Sequence, residues 1–428
     1  MRPVPRHLLL PGLVALGLGL GFLREVVVAR EIGAGAEMDA YAAVFGIYLF
    51  FGTQMANATT LTFIAQYARL SDSELLEHCI SVFAVQCLIM LPVAVVLVGW
   101  SAPLVDMLFA FDPARHETAS RVASAFAPAV FLGAQVGVLR AILNIRGSFA
   151  PGFLVAPLLS AVVIGMLLVA DRPDVLILPQ GYFFGNVLVL AMLAWVVWKR
   201  FRGIPFRISL RRGWSLWRFG YLVLIAEVVF QASYTLERSV ASGFSTGTVA
   251  SFFYSVALTS VFVAMVVQPV SVVYFPRMSR LFKDDPDEGM RLLMRVGGGL
   301  FLASLVVVVL VGALALPVVE LVFMRGAFGA EDAVRTAGML EIVVFALPFM
   351  SVGRMIKNAL YARGAYVSPL VVNLSRLTIF VVLAFLVMVP LSVEDFAWAY
   401  VAGVASVSLT GLAFLLLTRN RMVSADAI

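Results

Sequence analysis

Apolar runs alternate with short polar joins along the whole chain, and the joins carry proline, glycine and charged residues. A membrane-spanning helix needs about 20 mostly apolar residues. By that measure the pattern predicts about twelve spanning helices, and therefore an all-α, polytopic membrane protein. The predicted spans lie near residues 8–29, 41–66, 79–100, 121–143, 151–170, 181–198, 215–240, 249–275, 294–316, 337–360, 368–390 and 396–418.

The composition supports the same fold class. The 428 residues are 62% hydrophobic and 13% charged, with a mean hydropathy of +0.99, whereas soluble domains carry about 25% charged residues. Cys79 and Cys87 share one apolar segment, so they form neither a disulfide framework nor a metal-ligand spacing. The short joins carry no nucleophile, phosphate-loop or metal motif, so we expect neither an enzyme nor a bound cofactor or metal.

Basic residues outnumber acidic ones, 31 against 25, and lie mostly in the short joins. This placement indicates membrane orientation rather than nucleic-acid binding. With the amino terminus inside, most Lys and Arg residues lie on the inner side, so we expect both termini to be cytoplasmic. Two outer loops, 103–117 and 317–332, are predicted to form short amphipathic helices on the membrane surface.

The two halves of the chain share sequence motifs. The motif E-x-x-V-A-x5-G begins at Glu25 and again at Glu237, 212 residues later. A second motif, a basic residue followed by x5-R-G, begins at Arg140 and again at Lys357, 217 residues later. Motifs that recur in one order and almost one register predict an internal repeat. An even number of spans per repeat gives both halves the same orientation, which is a common transporter plan.

The repeat therefore predicts two parallel-related six-helix lobes around a central cavity, with the substrate path at their interface. We expect an N-terminal lobe over residues 1–200 and a basic cytoplasmic linker over 201–213. The C-terminal lobe would cover 214–420, and residues 421–428 would form a cytoplasmic tail.

The first span carries a charge pair inside an apolar run. Arg24 and Glu25 lie between the apolar stretch that starts at Leu8 and the run Val26–Ala29. A charge at the centre of the bilayer costs roughly 2.5–3.5 kcal/mol on insertion scales. We therefore expect Arg24 to face the cavity rather than lipid. The alternative is that its long side chain reaches the membrane interface.

The second span carries an ordered polar stripe. Thr53, Asn57 and Thr60 are spaced i, i+4, i+7 and share one helix face, with Gln54 beside them. Such residues provide interhelical hydrogen bonds worth about 0.6 kcal/mol each in membranes. They would equally serve to line a substrate cavity, and the sequence leaves both interpretations open.

The seventh span has a longer polar stripe with Glu237 on its flank. A carboxylate inside the membrane is costly unless it binds a cation, a proton or an arginine. Glu227 and Glu237 are both candidate carboxylates for ion coupling. Their candidate partners are Arg376 and, one turn before it, Asn373 in the eleventh span. The pair would either lock two helices together or couple transport to H⁺ or Na⁺. The stripe itself consists of Glu227, Gln231, Tyr234 and Arg238.

Four stretches of the chain resemble the MurJ/MviN family of the multidrug/oligosaccharidyl-lipid/polysaccharide (MOP) flippase superfamily. The first is R-E-x3-A-x3-G-A-G-x3-D-A-Y, from Arg24 to Tyr41. The others are Glu237–Tyr254, Phe275–Arg280 and Leu321–Pro369, so the resemblance covers both predicted lobes.

The resemblance implies a flippase of the bacterial inner membrane with a V-shaped pair of lobes. A cationic cavity would hold the pyrophosphate and sugar of an undecaprenyl-linked glycan and carry them outward by alternating access. Arg24 matches the family's cavity arginine, Asp39 its signature aspartate, and Glu237 the acidic residue near a sodium site. We therefore expect the substrate cavity to be lined by Arg24, Asp39, Thr53 and Asn57. We expect the protein to act as a monomer, with the lipid-linked glycan and membrane lipids as its partners.

Departures from the family widen the choice of substrate. Lipid II flippases carry Arg and Glu on the second helix where this chain has Gly52 and Asn57, and an Arg where it has Ala257. They also have two further C-terminal helices beyond about twelve spans. Lipid II and a related polysaccharide repeat unit therefore both remain candidates. The alternatives are a MATE-like drug/cation antiporter with an acidic, aromatic cavity and a non-transporting membrane scaffold whose buried charges are all paired.

Overall fold

The structure, a computed structural model, describes residues 6–362, 368–389 and 391–417. Throughout this part of the chain the secondary structure is helical and no strand occurs, which confirms the all-α fold class. Arg363 and Gly364 of the second repeat motif and the predicted tail, 421–428, lie outside the described residues.

The chain divides into two compact units, Met1–Gln231 and Ala232–Ile428, and the division falls within one long helix. The lobe and linker limits expected from the basic stretch 201–213 stay a prediction. A π-helical segment, Leu49–Gln54, joins α2 to α3. The helices that begin in the first unit are α1 Arg6–Ile32, α2 Ala36–Tyr48, α3 Met55–Tyr67, α4 Asp72–Gly99, α5 Ser101–Leu108, α6 Pro113–Ile145, α7 Ala150–Phe153, α8 Val155–Val169, α9 Ile177–Arg200 and α10 Leu210–Ser242.

The second unit repeats this alternation of long and short helices. A π-helical segment, Val263–Val267, joins α11 to α12, and another, Leu383–Val387, follows α17. A short 3-10 turn, Val344–Ala346, connects α15 to α16. The helices of this unit are α11 Thr248–Phe262, α12 Gln268–Asp284, α13 Pro286–Ala313, α14 Ala315–Phe323, α15 Ala330–Val343, α16 Leu347–Ala362, α17 Ser368–Val382 and α18 Val393–Leu417.

Each predicted span is helical over most of its described length. Ten helical stretches in the described ranges are long and apolar enough to cross a membrane, so the chain is a multi-pass membrane protein. Two predicted spans, 41–66 and 215–240, are helical but are not among these ten. They are the two spans that carry the polar stripes.

The two outer loops differ from the prediction in extent. Each loop holds one short helix, α5 or α14, and the next long helix begins inside the predicted range. Asp112 ends the first loop because its carboxylate accepts from the backbone amides of Ala114 and Arg115, both at 3.1 Å. With Pro113 at the first helical position, this is a strong N-terminal signal. Hydropathy does not detect it, because the first turn lies outside the apolar run.

A seam of small residues brings α3 and α6 close together. A Cβ atom added at Gly137 would overlap the backbone of Ala56, and one added at Gly133 would lie 3.3 Å from Gly52 Cα. Gly133 and Gly137 form a G-x-x-x-G pattern, which allows membrane helices to pack backbone to backbone. This close approach fixes how the polar residues beyond the seam meet.

Candidate functional site

Arg24 lies well inside α1 and is covered by protein. Its guanidinium pairs with Glu25, with Nε 3.1 Å from Oε1, and the two side chains are 17% and 11% exposed. The same guanidinium lies 5.5 Å from the centre of the Tyr182 ring in α9, within reach of a cation–π interaction. This placement differs from that of a side chain extended along lipid to the interface. The role of Arg24 in substrate binding stays a prediction.

An aromatic cluster lies against this part of the first unit. Tyr48 of α2 stands 4.7 Å from Tyr182 and 5.4 Å from Phe126, measured between ring centres. Phe45 stands 5.3 Å from Tyr182 and 5.2 Å from Tyr41. Sequence analysis missed this cluster, although the i, i+4, i+7 spacing of the three α2 aromatics was a usable signal. The rings give Arg24 a rigid surface, because buried aromatic side chains have little rotational freedom.

Asp39 is fully buried near the start of α2 and accepts a hydrogen bond from Arg115 Nη1 at 3.3 Å. Arg115 also donates to Asp112, so one guanidinium joins the start of α2 to the start of α6. The Arg115 backbone amide, followed by its side chain, holds the pKa of Asp112 below its usual value. These contacts favour a structural role for Asp39, and its assignment to the substrate site stays a prediction.

The polar stripe of the second span meets Arg140 of α6. Arg140 Nη2 donates to Asn57 Oδ1 at 2.8 Å and to Thr60 Oγ1 at 3.0 Å, while Thr53 remains exposed. Asn57 and Thr60 therefore make interhelical contacts, and Thr53 is free to face a ligand. The sequence indicated Arg140 only as the start of a repeated motif and not as a site residue. The usable signal was its position three residues after the G-x-x-x-G pattern.

In the second unit, Glu237 of α10 and Arg376 of α17 form a two-pronged ion pair. Arg376 donates from Nε to Oε1 at 3.0 Å and from Nη2 to Oε2 at 2.9 Å. Their side chains are 1% and 6% exposed. The guanidinium also lies 4.1 Å from the centre of the Tyr234 ring and 5.5 Å from that of Tyr400. The contact expected between the seventh and eleventh spans is thus confirmed, while its role in coupling stays a prediction.

The other candidates of the second stripe have different surroundings. Asn373 is buried and accepts from Lys357 Nζ at 3.1 Å. Glu227 is half-buried on α10, and Gln231 donates to the carbonyl oxygen of Gly46 at 3.1 Å. Within the described ranges, no three His, Cys, Asp or Glu residues group in a way that would hold a metal ion.

Comparison with known proteins gives a family-level match. The family model described as "Lipid II flippase MurJ" matches residues 28–427. A relative from Synechocystis sp., described as "Probable lipid II flippase MurJ", is 26% identical over 382 residues, which is 83% of this chain and 70% of the relative. A relative of the same description from Haemophilus influenzae is 23% identical over 397 residues, covering 83% of this chain and 75% of its own.

Solved structures share the fold. "Lipid II flippase MurJ, inward closed conformation" superposes with a TM-score of 0.81 at 16% identity, covering 97% of this chain and 88% of its own. An inward-facing MATE family multidrug resistance transporter of the MOP superfamily gives a TM-score of 0.74 at 15% identity, covering 97% and 96%. Because both sequence identities are low, these matches show a common helical transporter fold. They do not identify the substrate of this chain.

Proposed function

Because the chain belongs to the MurJ family of lipid II flippases, we propose that it moves an undecaprenyl-pyrophosphate-linked glycan precursor across the bacterial cytoplasmic membrane by alternating access. The match over residues 28–427 is the observation that carries this proposal. The protein would act as a monomeric transporter rather than an enzyme, with both termini cytoplasmic and no nucleic-acid partner.

The chemistry of the first unit fits a diphosphate ligand. Arginine presents a planar fork of donors that matches phosphate oxygens, and its charge acts strongly where water is scarce. Arg24, set on the Tyr182 ring within an apolar helix, would supply such a charge. Thr53 would add a polar contact to the headgroup, and Asn57 would support that helix face through Arg140. Asp39 would keep α2 in register through Arg115.

The glycan itself is either that of lipid II or a related polysaccharide repeat unit. A Cβ atom at Gly52 would lie 3.1 Å from the Tyr48 ring, so the backbone there packs against an aromatic side chain and has no room for a long one. At this position the lining of the substrate cavity would therefore differ from that in relatives with an arginine on this helix. A MATE-like antiporter shares the fold, but the family match favours the lipid-linked substrate.

Coupling would use the ion pair of the second unit. Arg376 already places a cation against both oxygens of Glu237, so we propose that it supplies the charge a coupling Na⁺ would otherwise supply. Transport would then proceed without Na⁺. In the alternative, a proton competes with Arg376 for the carboxylate and the pH gradient drives the cycle.

Reconstitution tests the proposed function directly. Proteoliposomes would carry a labelled lipid-linked glycan, and the fraction accessible to a membrane-impermeant reagent would be followed over time. Wild-type protein is expected to speed the exchange between leaflets in Na⁺ and in choline buffers alike. If no undecaprenyl-pyrophosphate-linked glycan exchanges faster with the protein than without it, the proposal is overturned.

A further inference from the structure

Arg140 differs from Arg24, Arg115 and Arg376 in having no acidic partner among the described residues. Arg24, Arg115 and Arg376 each form an ion pair with a carboxylate. Arg140 donates from Nη2 to Asn57 and Thr60 and from Nε to Thr60 at 3.2 Å, and these partners are neutral. Among the described residues, no Asp or Glu forms an ion pair with it. A cation held only by neutral groups leaves the site with a net positive charge.

The packing of α3, α6 and α7 fixes the position of this charge. The α3–α6 seam ends at Gly137 and Ala56, and one helical turn further on Arg140 meets Thr60. The stem of Arg140 lies over Gly152 of α7, where an added Cβ atom would come within 3.1 Å of Arg140 Cγ. The missing side chain at Gly152 leaves room for the stem, so the guanidinium is held in one position before any ligand arrives.

Within the cluster around Arg140, the side-chain acceptors are engaged in hydrogen bonds, but some donors are not. Asn57 Nδ2 donates to Gln54 Oε1 at 3.2 Å, so the Asn57 oxygen faces Arg140. The Thr60 hydroxyl lies 2.8 Å from the carbonyl oxygen of Ala56 and 3.0 Å from that of Gly137, so its proton goes to a backbone carbonyl and its oxygen accepts from Arg140. Arg140 Nη1 and Gln54 Nε2 remain without a protein acceptor in the described part of the chain.

The leftover donors are accessible. Thr53 is exposed, while Gln54, Asn57 and Arg140 are half-buried. Thr53 and Gln54 close the π-helical segment, a wide helical turn that occurs often at functional sites. The cluster therefore offers a fixed cation and several donors on an open face, and an anion satisfies both the charge and the donors.

We propose that Arg140, Gln54 and Thr53 form an anion site for the phosphate groups of the lipid-linked substrate. This inference rests on the proposed function and names where that function's substrate is held. A diphosphate fits better than a carboxylate, because its several oxygens satisfy Arg140 Nη1, Gln54 Nε2 and the Thr53 hydroxyl together. Asn57 and Thr60 act as positioning residues that aim the guanidinium.

Binding to the purified full-length protein in detergent tests the site. The probes are inorganic pyrophosphate and an undecaprenyl-pyrophosphate-linked glycan, each titrated by calorimetry. Arg140→Gln is expected to weaken both affinities by about tenfold or more, because the variant loses a charged hydrogen-bond donor. Arg140→Lys should lose less, because it keeps the charge but not the fork.

Arg121→Gln is the matched control, since Arg121 is an exposed arginine of the same helix outside the cluster. It should bind both probes as the wild type does. Thermal unfolding of Arg140→Gln should stay near wild type, because no carboxylate is stranded. Should that variant fail to fold, Gln54→Met removes a donor with little change in volume and is also expected to weaken binding.

The outcomes separate this site from the proposed function. Equal affinities in wild type, Arg140→Gln and Gln54→Met overturn the site, even if the wild type transports a lipid-linked glycan. Pyrophosphate binding that depends on Arg140, without binding or transport of any lipid-linked glycan, supports the anion site and overturns the proposed function. A wild-type protein that binds neither probe overturns both.

Discussion

Arg376 donates to both carboxylate oxygens of Glu237, which lies 139 residues earlier in the chain, at 3.0 and 2.9 Å. The pair is almost wholly enclosed, and the rings of Tyr234 and Tyr400 lie beside the guanidinium. Each charge is therefore satisfied by the other, and removal of either leaves its partner in surroundings that cannot solvate it.

Arg376→Ala should destabilise the second unit. A stranded buried carboxylate costs roughly 3–5 kcal/mol when its partner is removed. Thermal unfolding in detergent measures the loss, and repeating it in NaCl and in choline chloride shows whether Na⁺ restores stability. Restoration by Na⁺ would mean that the ion enters the place left by the guanidinium.

The double variant Glu237→Gln with Arg376→Met is the matched control for that prediction. It removes both charges together, so it should be more stable than Arg376→Ala alone. An Arg376→Ala protein with wild-type stability and unchanged ion dependence of transport would show that the pair has no role in coupling.

Arg24→Ala should abolish transport of the lipid-linked glycan while the protein remains folded. The expected loss follows from removing the cation that lies on the Tyr182 ring inside an apolar helix. Arg30→Ala is the comparison, because Arg30 lies on the same helix and its side chain is 57% exposed. Proteoliposome exchange should fall to background in the first variant only. Wild-type exchange rates in Arg24→Ala would remove Arg24 from the substrate path.

Gly137→Ala should disrupt the α3–α6 seam. The added methyl group overlaps the backbone of Ala56, and overpacking of this kind costs roughly 1–3 kcal/mol. Gly165→Ala in α8 serves as the control, since nothing lies within 4 Å of a Cβ atom there and alanine favours the helix. Unfolding midpoints should therefore move in opposite directions. Equal midpoints would mean that the helices shift apart at no cost.

Asp112 should give the first unit a pH-dependent N-cap. Its pKa is lowered, chiefly by the Arg115 backbone amide, so its contribution is present above the unfolded-state pKa of about 3.9 and lost as the pH falls through the lower folded-state value. Asp112→Asn keeps a capping side chain without the charge. Thermal unfolding between about pH 3 and 6 should show a smaller acid loss in the variant. Parallel curves for the two proteins would refute the contribution.

The sequence predicted most of the helices, but only some of the contacts between them. Apolar length alone defines a span, so each predicted span is helical over most of its described length. The contact of Glu237 with Arg376 was predictable because an intramembrane carboxylate needs a cation and few arginines lie inside spans. Tyr234 was already part of the stripe of the seventh span, but Tyr400 was not predictable, since it comes from a distant segment and shares no pattern with the pair.

Arg140 shows the limit of reading charge by position. It lies near the end of its predicted span, where an arginine normally reaches the interface and reports only orientation. Its actual partners depend on the close packing at Gly137 and Ala56, a tertiary fact. The surroundings of Asp39 were equally hard to predict. Its partner Arg115 lies in the first turn of α6, which begins at Pro113, several residues before the apolar run.

The π-helical segments occupy corresponding places in the two halves of the chain. Leu49–Gln54 begins 214 residues before Val263–Val267, within the spacing of the repeated motifs. Each extra residue turns everything after it by about 100° around the helix axis. Deleting one residue from Leu49–Gln54 would rotate Thr60 away from Arg140, so this irregularity sets which residues meet.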